Sequence, residues 1–295
     1  MLERKVDNSL CAFSYFIHCI TNWLSRLHEK NQLSIINYQL IFCLMKKLLG
    51  LIGYPLSHSF SKKYFTQKFE NQGLTHEWEY ELFSIEKIEK IEEILRGLPN
   101  LVGLNVTIPY KELVMPYLHE LDEEAAAIGA VNCIKIKDGK LKGFNTDVYG
   151  FEKSILGLIA PKGGDVSHLK ALVLGTGGAA KGVVHVMKKL GMAYNWVSRT
   201  RSEGILSYAD LTKEIIKTHT IIINTTPLGM SPNTEGCPPI SYKYIGNQHF
   251  MYDLIYNPEL TTFMMNGLEQ GAKAKSGLDM LHFQAEKGWE IWNTP

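Results

Sequence analysis

The sequence contains little cysteine, and its five cysteines form no pattern that suggests a metal site or a disulfide framework. No CxxC pair and no Cys/His spacing typical of zinc ligands occurs. The cysteines are odd in number and scattered, at Cys11, Cys19, Cys43, Cys133 and Cys237. Such a set is typical of reduced thiols, so we expect a cytoplasmic protein that needs no metal.

An excess of charge and a long apolar run are missing as well. The formal net charge of the 295 residues is +1, which gives no overall field to attract a nucleic acid or a membrane surface. No run of 18 apolar residues is present, so a membrane-spanning helix is not expected. The apolar stretch 10–20 makes only a weak signal-peptide pattern, because charged residues of both signs precede it and no small-x-small cleavage site follows.

The first 44 residues differ from the rest of the chain, because they hold three of the five cysteines and no glycine. Met45 then precedes two lysines and an apolar strand. This favours the hypothesis that residues 1–44 are an N-terminal extension that is not part of the functional protein. The alternative is that they form one or more real helices that pack on the body of the protein.

From Leu48 onward, short apolar strands alternate with helices, which predicts parallel sheets with crossover connections. In the first half, strands are predicted at 48–52, 77–83 and 101–107, a hairpin at 132–137 and 140–144 around Asp138-Gly139, and helices at 59–72, 110–118, 123–127 and from Thr146. Ser84 is predicted to cap a charged helix. In the second half, strands are predicted at 170–174, 194–198, 221–224 and 251–255, and helices at 179–190 and 279–292.

A glycine turn joins the strand at 170–174 to the following helix. Its residues read G-x-G-x-x-A from Gly175, with Gly177, Gly178 and Ala179 inside the pattern. This is the dinucleotide fingerprint, in which glycines allow backbone amides to approach a pyrophosphate at a helix N-terminus. The alternative is a tight strand-to-helix turn that binds nothing.

The next strand ends in Ser198 and is followed by Arg199, Thr200 and Arg201. Proteins that bind NAD place a carboxylate at such a strand end, to bind the ribose hydroxyls. Guanidinium groups and a hydroxyl suit a 2′-phosphate instead, because arginine forms forked bonds to phosphate oxygens. NADP is therefore the predicted cofactor, and a solvated basic loop is the alternative.

Four polar clusters lie near strand ends in the first half, where ligands bind in open α/β sheets. They centre on Ser59 and Ser61, on Thr107 and Lys111, on Asn132, and on Asn145-Thr146-Asp147. Hydroxyls, amides, a lysine and an aspartate would suit a small polyol that carries a carboxylate. Each cluster also has a plain alternative: the serines as helix caps, Lys111 as a surface lysine, Asp147 as an N-cap partner, and Asn132 as a bond to hairpin backbone.

In their order and spacing, these motifs resemble the shikimate dehydrogenase family. The first half contributes GYPxxHSxS from Gly53, NVTxPxK from Asn105, GAVN from Gly129 and NTDxxG from Asn145, and the second half contributes GxGG from Gly175, SRT from Ser198, NTTPLGM from Asn224, DxxY from Asp253 and GxxMLxxQ from Gly277. The resemblance covers about residues 47–292. It implies a two-domain α/β enzyme, with an α/β substrate domain and a Rossmann-type doubly wound parallel sheet. Its reaction would be the reversible NADPH-dependent reduction of 3-dehydroshikimate to shikimate, a step of chorismate and aromatic amino acid biosynthesis.

The resemblance also implies roles for individual residues. Lys111 and Asp147 correspond to the catalytic pair that handles the proton. Substrate contacts are implied for Ser59, Ser61, Thr107, Asn132, Tyr256 and Gln284, with the serines on the carboxylate. Cofactor contacts are implied for Gly175, Gly177, Gly178, Ala179, Ser198, Arg199, Thr200, Thr226 and Gly277. His58 is interpreted as structural, and Lys62, Phe65, Thr66 and Ser198 depart from the residues that the family usually has.

Because Gln284 follows the cofactor-binding half in sequence, the last helix must fold back to reach the substrate. We therefore expect a substrate-binding catalytic domain at 45–148, completed by 275–295, and an NADP-binding domain at 149–274. The protein is expected to be a monomer or a homodimer.

Three other functions remain open. An NAD-dependent quinate/shikimate dehydrogenase is disfavoured by Arg199, and a non-catalytic ligand sensor by the presence of both Lys111 and Asp147. A folate-linked two-domain dehydrogenase does not account for the serine motif at Ser59.

Overall fold

The computed structural model describes residues 45–56 and 59–294, which form two six-stranded sheets with helices packed on them. The predictions for residues 1–44 and for His58 lie outside the described residues. None of the helices in the described part of the chain is long and apolar enough to cross a membrane.

The first sheet has the strand order β2-β1-β3-β5-β6-β4. Its strands are β1 (Lys47–Gly53), β2 (Trp78–Ser84), β3 (Leu101–Val106), β4 (Glu120–Leu121), β5 (Cys133–Lys137) and β6 (Lys140–Phe144). Strand β1 is parallel to both β2 and β3, and β5 and β6 form the predicted antiparallel hairpin. Asp138 and Gly139 have φ angles of 50° and 75°, as a tight two-residue hairpin turn requires.

Three helices accompany this sheet, namely α1 (Phe60–Asn71), α2 (Ile91–Gly97) and α3 (Glu123–Ile128). The prediction that Ser84 caps a helix is wrong, because Ser84 pairs with Gly53 as the last residue of β2. The predicted helix at 110–118 is also wrong, and only a 3₁₀ turn, Met115–Tyr117, forms there. Pro116 explains this difference, since a proline inside an α-helix lacks a donor and clashes with the preceding turn.

The second sheet is entirely parallel, with the strand order β12-β11-β10-β7-β8-β9. Its strands are β7 (Lys170–Leu174), β8 (Ala193–Ser198), β9 (Ile205–Ser207), β10 (Ile221–Asn224), β11 (Phe250–Asp253) and β12 (Lys273–Lys275). The remaining helices are α4 (Thr146–Ile159), α5 (Gly178–Lys189), α6 (Lys213–Thr218), α7 (Thr262–Glu269) and α8 (Leu278–Asn293). The strand order and the strand-turn-helix at β7–α5 agree with the predicted doubly wound sheet.

Helix α8 returns from the second sheet to the first. Trp292 and Ala285 are buried in the same apolar cluster as Leu49 and Phe65. The indole Nε1 of Trp292 donates to the backbone oxygen of Ile134 at 2.9 Å. The fold-back that Gln284 requires is therefore present.

Helix α4 lies between the two sheets. Its residues Val148 and Phe151 are buried in one apolar cluster with the strands of the second sheet. On its other side α4 touches α8 so closely that a Cβ atom added to Gly150 would lie 2.4 Å from the backbone oxygen of Met280. The position of α4 relative to α8 therefore depends on the missing side chain at Gly150.

Candidate active site

A cleft of about 630 Å³ opens between the loop after β3 and the start of α5. Lys111, Asp147 and Asn145 line one wall, and Gly178 and Ala179 line the other. The cleft thus brings the predicted catalytic pair to the same space as the predicted pyrophosphate loop.

Lys111 and Asp147 form an ion pair at the edge of this cleft. The Nζ atom of Lys111 donates to Oδ2 of Asp147 at 2.6 Å, and the two side chains keep 35% and 29% of their surface exposed. Asp147 lies in the first turn of α4, where the helix dipole favours a negative charge. The N-cap of α4 is Asn145, whose side chain accepts from the amide of Val148. The helix is therefore capped without the side chain of Asp147. The pair is therefore both close and accessible from the cleft.

A buried chain of polar side chains lies directly beside Asp147. Oδ1 of Asn132 accepts from the amide of Thr146 at 2.6 Å, and Nδ2 of Asn132 donates to the hydroxyl of Thr146 at 3.0 Å. That hydroxyl lies 3.4 Å from Oε1 of Gln284 on α8. Two predicted substrate contacts, Asn132 and Gln284, are thus joined through Thr146, a residue to which the sequence analysis gave no role.

Ser59 and Ser61 lie at the N-terminus of α1, which follows the carboxyl end of β1. Ser59 is the N-cap, and its hydroxyl oxygen accepts from the amide of Lys62 at 3.3 Å. Burial raises the pKa of Tyr80, and a hydrogen bond from Ser61 opposes this increase. The alternative that the serines are helix caps therefore holds for Ser59. A helix N-terminus with two hydroxyls suits a carboxylate.

The departures near this helix are packed into the fold. Phe65 is fully buried and stacks on Tyr80 with ring centroids 4.9 Å apart. Lys62 forms an ion pair with Glu81 at 2.6 Å. Both replacements leave the two serines, Ser59 and Ser61, in place at the start of α1.

Thr107 and Tyr256 approach this region from different strands. Thr107 follows β3, and its methyl carbon packs directly against Gly53 of β1. A Cβ atom added to Gly53 would lie 2.4 Å from that methyl carbon. Tyr256 follows β11, is 45% exposed, and has its ring 6.3 Å from that of Phe60 on α1. The loop after β11 therefore reaches from the second sheet to the helix that carries the two serines.

The glycine loop after β7 has the form that the fingerprint predicts. Gly175 has a φ of 111°, and a Cβ atom there would lie 2.5 Å from the hydroxyl of Thr225. Gly177 is the N-cap of α5, and a Cβ atom on Gly177 or Gly178 would meet no atom within 4 Å. The first turn of α5 thus presents free amides to an open cradle, which fits the diphosphate of a dinucleotide.

The predicted 2′-phosphate clamp lies at the carboxyl end of β8. The hydroxyl of Ser198 donates to the backbone oxygen of Thr200 at 2.6 Å, so Ser198 shapes the turn. Arg199 and Thr200 are exposed, and Arg201 pairs with Asp210 at 3.3 Å. The connection to β9 is a short turn instead of a helix, which leaves the Arg199 guanidinium accessible at the strand end.

Thr226 and Gly277 lie after β10 and before α8. The hydroxyl of Thr226 donates to Oδ1 of Asn224 at 2.7 Å. A Cβ atom on Gly277 would lie 2.2 Å from the backbone oxygen of Leu254, so only glycine allows this approach. Both predicted cofactor residues are therefore held against the carboxyl ends of β10 and β11.

Lys181 and Lys189 of α5 each form an ion pair with one carboxylate on the first-sheet side, a feature that could not be found from the sequence. Lys181 pairs with Glu112, the neighbour of Lys111, at 3.6 Å. Lys189, at the other end of α5, pairs with Glu152 at 2.7 Å and with Glu124 at 2.9 Å. These hydrogen bonds raise the pKa of Lys189. The sequence offers no signal for such pairs, because they depend on how the two sheets face each other.

Within residues 45–56 and 59–294, no three His, Cys, Asp or Glu side chains come together as a metal site. The two described cysteines, Cys133 and Cys237, are free thiols. Burial raises the pKa of the Cys133 thiol, which makes it unreactive. Neither cysteine belongs to the cleft.

Known sequences similar to this chain include shikimate dehydrogenases. The sequence model described as "Shikimate dehydrogenase substrate binding domain" matches residues 51–134. A shikimate dehydrogenase (NADP(+)) of Methanococcus maripaludis is 36% identical over 262 residues, covering 83% of this chain and 91% of the relative. The corresponding enzyme of Halothermothrix orenii is 35% identical over 268 residues, covering 83% and 90%.

Solved structures agree with these relatives. A shikimate dehydrogenase crystallised in complex with NADP⁺ superimposes with a TM-score of 0.72 at 33% identity, covering 84% of this chain and 90% of that chain. The enzyme of Thermus thermophilus, solved with NADP(H) and shikimate, gives 0.70 at 28% identity, covering 84% and 94%. A 5-ketofructose reductase of Gluconobacter gives 0.71 at 27% identity, covering 84% and 93%. The same fold therefore also occurs in a reductase of a different ketone.

Proposed function

The chain belongs to the shikimate dehydrogenase family, whose NADP-dependent members are oxidoreductases acting on a CH–OH group, and we propose that it reduces 3-dehydroshikimate to shikimate with NADPH. In the cell this would be a cytoplasmic step of chorismate and aromatic amino acid biosynthesis. The single observation that carries the proposal is the 2.6 Å pair of Lys111 and Asp147 at the cleft that the glycine loop also lines.

The residues of this chain fit the cofactor. Gly175, Gly177, Gly178 and Ala179 would hold its diphosphate at the start of α5, and the open space at Gly177 and Gly178 supports this placement. Ser198, Arg199 and Thr200 would hold the 2′-phosphate, because β8 ends without a carboxylate and exposes a guanidinium. Thr226 and Gly277 would lie at the other end of the cofactor. When bound, the nicotinamide supplies or accepts the hydride at the ring carbon.

Lys111 handles the proton in this proposal. Its ammonium group donates a proton to the substrate oxygen as the carbonyl becomes an alcohol, and the neutral amine accepts that proton in the reverse direction. Asp147 holds Nζ in place through their 2.6 Å bond. Lys111 recovers its proton from solvent, which its 35% exposure allows.

The substrate is held by hydroxyls and amides from both sheets. Ser59 and Ser61 would bind the carboxylate at the N-terminus of α1, which favours an anion. Thr107, Asn132 and Gln284 would bind the ring hydroxyls, and Tyr256 would cover the substrate from the loop after β11. The buried bonds that join Asn132 to Gln284 support a fixed arrangement of acceptors and donors.

We further propose that residues 45–148 and 275–295 form a catalytic domain and residues 149–274 an NADP-binding domain, in a monomer or a homodimer. The fold-back of α8 onto the first sheet supports the discontinuous domain. A cleft between two such domains could close and exclude water from the reaction.

The test is an absorbance assay at the nicotinamide band with purified protein. We expect turnover with shikimate and NADP⁺, and much slower turnover when quinate replaces shikimate or NAD⁺ replaces NADP⁺. Faster turnover with NAD⁺ and quinate would favour the rival dehydrogenase. Binding of shikimate without turnover would favour a sensor, and turnover only with another ketone or polyol would show that the fold carries a different substrate.

A further inference from the structure

Asn224 and Asp253 form a buried polar pair at the carboxyl ends of two neighbouring strands. They are register partners in β10 and β11, and neither side chain is exposed to solvent. Nδ2 of Asn224 donates to Oδ1 of Asp253 at 3.1 Å. A buried carboxylate is costly unless its oxygens are fully bonded.

The hydrogen bonds of the Asp253 carboxylate all come from donor groups. Oδ1 also accepts from the amide of Ile255 at 3.0 Å, and Oδ2 accepts from the hydroxyl of Thr261 at 2.7 Å. Burial raises the pKa of Asp253, and the bonds from Thr261, Ile255 and Asn224 oppose this increase. Because all three partners donate, the ionised carboxylate satisfies the site.

Asn224 extends the pair into the loop after β10. Its Oδ1 accepts from both the amide and the hydroxyl of Thr226, at 3.0 and 2.7 Å. Its Nδ2 also donates to the backbone oxygen of Leu228 at 3.3 Å. The amide of Asn224 is therefore saturated on both sides, and its orientation is fixed by Asp253.

Asp253 extends the pair into the loop after β11. Its bond to the amide of Ile255 sets the backbone just before Tyr256. The oxygen of Ile255 in turn accepts from the amide of Gly277 at 3.0 Å, and the amide of Ser231 donates to the oxygen of Asn257 at 3.1 Å. The two loops are thus connected to each other both through the pair and directly.

We infer that Asn224 and Asp253 act as a positioning unit that sets the Thr226 loop and the Tyr256 loop against each other, so that cofactor binding and substrate binding depend on one buried network. The inference rests on the proposed function, because it takes Thr226 as a cofactor contact and Tyr256 as a substrate contact. Neither Asn224 nor Asp253 touches the reacting atoms. Their effect is transmitted through the two loops.

The test compares Asp253→Ala with the wild-type chain. The Kd for NADP⁺ is measured by quenching of tryptophan fluorescence, and the KM for shikimate and kcat are measured by absorbance. Loss of the acceptor leaves the donors of Ile255 and Asn224 unpaired, so we expect both Kd and KM to rise about tenfold or more. We expect kcat to fall less than either constant rises. Asp253→Asn should restore most of both constants, because its amide oxygen can accept from the same two donors.

The matched control is Tyr252→Phe, on the same strand. It removes a buried hydroxyl that donates to Ser154 at 2.9 Å and touches neither loop. We expect this variant to lower the melting temperature and to leave Kd and KM unchanged. If Asp253→Ala also lowers only the melting temperature, the inference is wrong.

Should Asp253→Ala fail to fold, Thr261→Val carries the same test, because it takes one donor from Oδ2 of Asp253 and keeps the bonds of Oδ1 to Asn224 and Ile255. The change also removes the N-cap of α7, where the hydroxyl of Thr261 accepts from the amide of Met264, and loss of that cap alone should lower only the melting temperature. An increase of about twofold to threefold in both Kd and KM supports the inference, and unchanged constants overturn it. A wild-type chain that binds no NADP⁺ and shows no turnover would refute the proposed function instead. The two failures are therefore distinguishable.

Discussion

Replacing Lys111 by alanine should reduce kcat far more than it changes substrate binding or stability. The Nζ atom lies 2.6 Å from Oδ2 of Asp147 and is the cation of the proposed pair. Proton transfer by a positioned side chain contributes about 10²- to 10⁴-fold to a rate. At about 1.36 kcal/mol for each factor of ten, the expected loss is about 2.7 to 5.4 kcal/mol of transition-state stabilisation.

The effect of the same change on stability should be small. Both side chains are about one-third exposed, and an ion pair at such a site contributes only about 0 to 1 kcal/mol. We therefore expect kcat to fall about 10²- to 10⁴-fold while the melting temperature shifts by only a few degrees. The KM for shikimate should change less than kcat, because Ser59, Ser61 and Gln284 remain in place.

The assay is steady-state oxidation of shikimate by NADP⁺, together with a thermal unfolding curve. Lys142→Ala is the matched control, since Lys142 also pairs with a carboxylate, that of Glu120, and is 44% exposed outside the cleft. Addition of a small primary amine should restore part of the activity of Lys111→Ala and none in the control. A kcat within threefold of wild type for Lys111→Ala would refute the proposed role.

Three further changes test other parts of the structure. Arg199→Ala should weaken NADP⁺ binding about tenfold to a hundredfold and leave NAD⁺ binding unchanged, because a hydrogen bond to a charged group contributes about 1.5 to 3 kcal/mol. Equal weakening of both cofactors, measured by fluorescence titration, would contradict the clamp. Gly150→Ala should cost about 1 to 3 kcal/mol of unfolding free energy and raise the KM for shikimate, because its Cβ atom meets α8; an unchanged denaturation midpoint would contradict that contact. A chain that begins at Met45 should keep its activity and melting temperature. An insoluble product would contradict the hypothesis that residues 1–44 are not part of the functional protein.

Much of the fold could be predicted from local sequence because its strands are apolar and bounded by turn residues. The hairpin at Asp138-Gly139 and the turn at Gly175 have local causes, namely positive φ angles that only a few residues adopt easily. Strands β9 and β12 have three residues each, and helix α6 has six. Segments this short contain too few residues to show a period, so the sequence analysis missed them.

The site could be predicted only as a set of residues. The order of the motifs indicated that Lys111, Asp147 and Gln284 belong together, and the structure brings them to the same region. The order of the motifs did not indicate that Thr146 connects Asn132 to Gln284, or that Asn224 and Asp253 form a hydrogen bond across two strands. Such contacts depend on the register of neighbouring strands and on the fold-back of a distant helix, which no local pattern encodes.

Helix α4 explains why chemistry at this cleft depends on packing far from the reacting atoms. Asp147 stands at its first turn, Thr146 bonds to Asn132 of the first sheet, and Phe151 is buried against the second sheet. The distance from Asp147 to Lys111 is therefore set by how α4 packs on both cores and not by the loop after β3 alone. Since a displacement of about 1 Å can cost on the order of a hundredfold in rate, the proposed catalytic pair depends on the packing of the apolar residues of α4 as well as on its own hydrogen bond.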